Sequence, residues 1–115
     1  MTSAFPDTAL RPMVPTDLAS VLETEASCYP DPWSEQTFLD CLAAQAKGYR
    51  CYVLLLEERV IGHAVLTMIL DEAELLNFCL APNHQGKGLA GGYLDSVFMT
   101  MTEQGASTLF LEVRQ

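Results

Sequence analysis

The chain has 115 residues, with 15 acidic and 6 basic side chains and a formal charge of −9. That length suits one domain, and half of the residues are apolar, enough to build a core. The charge excludes a nucleic-acid surface, which needs clustered Lys and Arg, and no apolar run is long enough for a membrane-spanning helix.

Arg11-Pro12-Met13-Val14-Pro15 ends whatever extended piece precedes it. Thr16 or Asp17 then reads as an N-cap, with Leu18, Val21 and Leu22 as the apolar stripe of a helix that fades near Cys28. Tyr29-Pro30-Asp31-Pro32 is a turn. Ser34 caps a second helix, with Phe38, Leu39 and Leu42 on its buried face, ending near Gly48. Tyr49–Leu56, Val60–Leu70 (broken by Gly62) and Glu74–Leu80 read as three strands joined by the short polar turns Glu57-Glu58-Arg59 and Asp71-Glu72. Such short turns imply an antiparallel meander. A helix from about Gly88 to Gln104 carries Leu89, Tyr93, Val97 and Met101 on one face, and Gly105 suits its C-cap. Thr108–Arg114 is a last strand. The intervening helix predicts a crossover, so this strand should run parallel to Glu74–Leu80.

Cys28, Cys41, Cys51 and Cys79 form no Cys-x-x-Cys pair and show no zinc-ligand spacing. No metal site is expected. Met1–Asp7 lacks a basic segment followed by an apolar one, so a cytoplasmic protein with four reduced thiols is the expectation.

Gln85-Gly86-Lys87-Gly88-Leu89-Ala90-Gly91 spans the junction of strand and helix. Unpaired N–H groups and the helix dipole favour anions at a helix start. Glycines let the backbone approach a bulky anion, and Lys87 adds local positive charge. By itself the loop is equally compatible with a strand-to-helix turn that uses glycine only for its backbone angles. It is neither a Walker loop nor a dinucleotide fingerprint.

The pattern Gln-x-x-Gly-x-Ala at Gln85–Ala90 resembles the acetyl-CoA signature of the GNAT N-acetyltransferase superfamily. Within it, Pro32–Phe38, Leu70–Ala73, Asn77–Leu80 and Leu109–Arg114 resemble the ribosomal-protein-alanine N-acetyltransferases (RimI-type). The resemblance implies an α/β fold: a mixed, mostly antiparallel sheet flanked by helices. It implies acetyl-CoA as co-substrate and acetyl transfer to a protein N-terminal amine, the alanine of a ribosomal protein. Phe78, Cys79 and Leu80 would offer strand-edge backbone groups to the pantetheine arm. Gly86–Gly91 would hold the pyrophosphate.

The resemblance makes Glu112 the general base. By position alone it is a strand glutamate paired with Arg114 or facing solvent. Trp33 either lines the substrate side of the cleft or staples the helix that follows it. His63 reads as structural, and His84 lies near the loop with no assigned chemistry. The family pattern continues past Gln115 with a helix bearing a tyrosine, and none of Tyr29, Tyr49, Tyr52 and Tyr93 matches it. A single truncated domain is therefore expected, with its last strand exposed and able to pair in a homodimer. A non-catalytic acyl-CoA-binding module and an acetyltransferase for another amine are the alternatives.

Overall fold

The computed structural model describes residues 7–111. Glu112 lies outside them.

The first strand, β1 (Thr8–Pro12), leads through a single 3-10 turn, Pro15–Asp17, into α1 (Leu18–Cys28). Asp17 occupies the N-cap position, but its carboxylate makes no cap bond. It accepts a bidentate pair from Arg11, both bonds 2.8 Å, and the Val14 N–H at 2.8 Å. The Arg11 hydrogen bonds hold the Asp17 carboxyl below its ordinary pKa, with a smaller contribution from Val14 N–H, against the opposing effect of burial. A depressed folded-state pKa contributes stability above the unfolded value of about 4, and this is lost as pH falls through the depressed value. Asp17→Asn is therefore expected to lower the melting temperature at neutral pH. The gap to wild type should close on acidification in melts recorded across pH.

Ser34 caps α2 (Glu35–Ala43), accepting the Thr37 N–H at 3.2 Å. The helix ends earlier than its apolar pattern suggests. A 3-10 turn, Gln45–Lys47, follows, and Gly48 takes a φ of 105°. A side chain at Gly48 would collide with the Met68 carbonyl, so this reversal requires glycine twice over.

β2 (Tyr49–Leu56), β3 (Arg59–Ile69) and β4 (Glu72–Leu80) form the antiparallel meander. α3 (Leu89–Glu103) crosses over to β5 (Thr108–Leu111), which pairs parallel with β4. The sheet order is β1-β2-β3-β4-β5, and β5 is an edge among the described strands. Two cores flank the sheet. Tyr93, Val97 and Met101 of α3 pack on Tyr52, Leu54, Ala64, Leu66, Ala73 and Leu75. Leu18, Val21, Phe38 and Cys41 of α1 and α2 pack on Cys51, Val53 and Val65 on the opposite face. The alternation of β2 separates them, since successive side chains point to opposite faces. No helix among the described residues is long and apolar enough to cross a membrane.

The Tyr93 hydroxyl donates to the Leu55 carbonyl at 2.6 Å. Its pKa is raised by burial. Tyr93→Phe strands that acceptor and is expected to cost about 1 kcal/mol of stability, read by chemical denaturation.

The register of β3 with β4 jumps between Val65↔Asn77 and Leu66↔Leu75, leaving Leu76 as an extra residue. Such a bulge flips the side-chain alternation and bends the strand. Ala73 and Leu75 join the α3 core, whereas Asn77 turns to α1. Pairing of β4 with β5 runs from Glu72↔Thr108 to Leu75↔Leu111, reaching the bulge.

The expectation of four reduced thiols is corrected. Cys28, the last residue of α1, and Cys79 of β4 form a disulfide, their Cα atoms 6.3 Å apart. They are 51 residues apart in sequence, so no spacing motif reports the pairing. Cys41 and Cys51 are buried free thiols, and burial pushes Cys51 up to about 12.

Candidate active site

Beyond the bulge, β4 presents one edge of its backbone away from β3. Ala81 N–H donates to the Ile61 carbonyl at 2.7 Å, and Cys79 pairs with His63. In an antiparallel ladder, alternate residues direct their backbone groups to the same side. Cys79 therefore turns its backbone groups to β3, while Phe78 and Leu80 turn theirs the other way. The strand-edge groups assigned from sequence to Phe78, Cys79 and Leu80 reduce to those of Phe78 and Leu80. Cys79 is held by the ladder and the disulfide.

Both edge carbonyls carry side-chain donors. Tyr29 Oη donates to the Phe78 carbonyl at 2.7 Å. Gln85 Nε2 donates to the Leu80 carbonyl at 2.8 Å, which ties the start of the glycine loop to the end of β4. An extended ligand carrying its own amides meets here an edge of the kind used in strand addition.

The loop follows a 3-10 turn, Pro82–His84. Gly86 and Gly88 have φ of 74° and 76°. Gly88 is the N-cap of α3 and no side chain caps the helix. The N–H groups of the first turn, from Leu89, Ala90 and Gly91, are thus left for a ligand or solvent. Leu89 packs on the α3 core. Lys87 is exposed and makes no ion pair among the described residues.

Gly91 and Gly92 lie inside the helix, where each glycine is about 1 kcal/mol less favourable than alanine. A Cβ at either would meet nothing within 4 Å. Packing does not require glycine there, but a bulky group approaching the backbone does. Positive φ at two positions, an uncapped helix start and unfilled space fit a pyrophosphate.

On the α1 side of β4 lies a cluster that sequence reading missed. Glu25 and His63 are fully buried, and Asn77 is 2% exposed. Glu25 Oε1 accepts from His63 Nε2 at 2.9 Å, and its carboxylate accepts from Asn77 Nδ2 at 3.0 and 3.1 Å. Glu25 Oε2 also accepts the backbone N–H of Trp33 at 3.0 Å. The Trp33 ring packs on Phe38, centroids 5.4 Å apart, and Phe38 meets His63 edge-on. Trp33 therefore staples the start of α2. His63 has the structural place expected for it. Glu25 was legible in one respect: it continues the stripe Leu18, Val21, Leu22 at helical spacing.

Among the described residues no group of three or more His, Cys, Asp or Glu could hold a metal ion.

The model of the acetyltransferase (GNAT) family matches residues 18–115. The chain is 32% identical over 99 residues to the [ribosomal protein bS18]-alanine N-acetyltransferase of Escherichia coli K12, covering 86% of this chain and 65% of that protein. The chain thus spans just under two thirds of the length of that relative. The crystal structure of the ribosomal-protein-S18-alanine N-acetyltransferase from Escherichia coli superposes with a TM-score of 0.81 at 30% identity, over 94% of this chain and 68% of that one. The PaiA N-acetyltransferase of Thermoplasma acidophilum, solved in complex with coenzyme A, superposes with a TM-score of 0.77 at 20% identity, over 95% and 80%, and shows the shared fold.

Proposed function

Because the chain belongs to the GNAT acetyltransferase family, we propose that it transfers the acetyl group of acetyl-CoA to the N-terminal amine of a protein, the alanine of a ribosomal protein in particular. The observation that carries this reading is the uncapped, glycine-lined start of α3 beside the stretch of β4 past its bulge, whose outer edge no described strand pairs. The acceptor comes from the ribosomal-protein-alanine acetyltransferase the chain is similar to. The charge of −9 suits a basic acceptor.

The co-substrate supplies an acetyl thioester. In this chain the N–H groups of Leu89, Ala90 and Gly91 would bind its pyrophosphate, and the backbone of Phe78 and Leu80 would orient its pantetheine arm. Tyr29 and Gln85 now hold the two carbonyls of that edge, so the arm would take over those bonds as it seats. Glu112 would remove a proton from the acceptor ammonium, freeing the lone pair that attacks the acetyl carbon. The new bond is an amide and the broken one is the carbon–sulfur bond; the attacking nitrogen gives up its second proton, and coenzyme A leaves as the thiol that carries it.

A thiol-release assay tests this with a basic peptide beginning with alanine and the same peptide blocked at its N-terminus. Release with the free peptide alone is expected. Equal, background release with both overturns the reading.

A further inference from the structure

We propose that Glu25 is a positioning residue for the acceptor side of the cleft: its buried carboxylate sets residues 29–34 against β3 and β4, and through them the Tyr29 hydroxyl at the edge of β4. This rests on the acetyltransferase reading above.

The first ground is the choice of residue. Position 25 lies on the apolar stripe of α1, and Glu25 is fully buried. Apolar residues of similar size commonly serve a core as well as buried ionic groups do, and often better. A carboxylate kept there is explained by what it holds, since burying a charge costs heavily unless donors surround it. His63, Asn77 and the Trp33 N–H supply those donors from β3, β4 and the segment before α2. Because a carboxylate only accepts, Nε2 of His63 carries the proton in that bond.

The second ground is the segment between α1 and α2. Tyr29 leaves the helix in extended geometry, φ −130° and ψ 139°. Pro30 and Pro32 carry no N–H, so neither donates a backbone hydrogen bond from this stretch. Trp33 is the next backbone donor after Pro32, and its N–H goes to Glu25. At the other end the Tyr29 hydroxyl reaches the Phe78 carbonyl. The disulfide at Cys28 fixes the helix end beside them. Glu25 thus links the wall that carries Tyr29 and Trp33 to the strand that would orient the thioester. A shift of that wall by an ångström is enough to slow a reaction that depends on near-attack geometry.

Glu25→Gln keeps the size of the side chain but replaces one acceptor oxygen with a donor that faces Asn77 together with either Trp33 N–H or His63. In the full chain it is expected to lower kcat/KM for the alanine peptide by roughly tenfold or more. Affinity for ADP, which carries the pyrophosphate but no pantetheine arm, should stay within about twofold, because the loop at α3 is untouched. Tyr29→Phe and the double variant complete a cycle. Glu25 acting through this wall predicts that the double variant is no slower than the slower single one. Amide hydrogen exchange supplies a readout independent of activity: Trp33 N–H should lose protection in Glu25→Gln while β3 amides keep theirs.

Peptide kinetics within about twofold of wild type, whatever the melting temperature, would show that Glu25 only packs, and would overturn the proposal. Should Glu25→Gln fail to fold, Asn77→Ala removes one of the donors to the carboxylate, and unchanged peptide kinetics there count against the proposal equally. A wild-type chain that acetylates no amine defeats the acetyltransferase reading instead. In that case retained protection of Trp33 N–H in Glu25→Gln is what overturns the role of Glu25.

Discussion

Glu112→Gln is expected to slow acetyl transfer by roughly 10²–10⁴-fold, the usual range for loss of a general base. An amine in neutral water is protonated, and its lone pair is unavailable until a base takes the proton. Glutamine fills the same space and can still accept a hydrogen bond, but it takes no proton. Coenzyme A affinity should therefore be unchanged, and the loss should fall on kcat/KM for the acceptor. The part of the acidic limb of the pH–rate profile that reports protonation of the base should vanish in the variant, leaving a rise with pH through the acceptor amine's own pKa of about 8. The role is placed on Glu112 because the segment Leu109–Arg114 resembles that of the family, whose model matches residues 18–115. Equal rates in the two proteins would remove Glu112 as the base.

Gly91→Glu should act in opposite directions on stability and on binding. At this position in the first turn of α3, glycine is about 1 kcal/mol less favourable than good helix formers. A carboxylate near a helix N-terminus adds roughly 0.3–1 kcal/mol through the dipole. The variant should therefore melt higher than wild type, and the open space around Gly91 accommodates the side chain. That same carboxylate would stand where the pyrophosphate is to bind. Like charges about 4 Å apart at a protein surface repel by several kcal/mol. A loss of roughly a hundredfold or more in coenzyme A affinity is expected, measured by titration calorimetry. A variant that melts higher and binds as well as wild type would place the ligand elsewhere.

The elements were largely readable from residues because local rules and packing agree. Ser34, the stripe of α3 and the short turns of the meander each point to what forms. Three things were hidden. The bulge at Leu76 lies in a run, Leu75-Leu76-Asn77-Phe78, whose composition suits a straight strand equally well. Register is a property of two strands, so one strand's sequence does not reveal it. The disulfide joins Cys28 and Cys79 through the docking of α1 on β4. Asp17 looks like a cap, and Arg11 claims its carboxylate instead. Within the site, the glycine loop was legible because its chemistry is local and contiguous. The Glu25 cluster was not, because its members come from α1, β3 and β4 and meet only in the folded sheet.

Titration calorimetry of the full chain with coenzyme A tests the central claim most directly. One molecule of coenzyme A per chain is expected, with the heat abolished by Gly91→Glu at a melting temperature no lower than that of wild type. No heat with the folded wild-type protein would contradict the assignment of the start of α3 as a coenzyme A site.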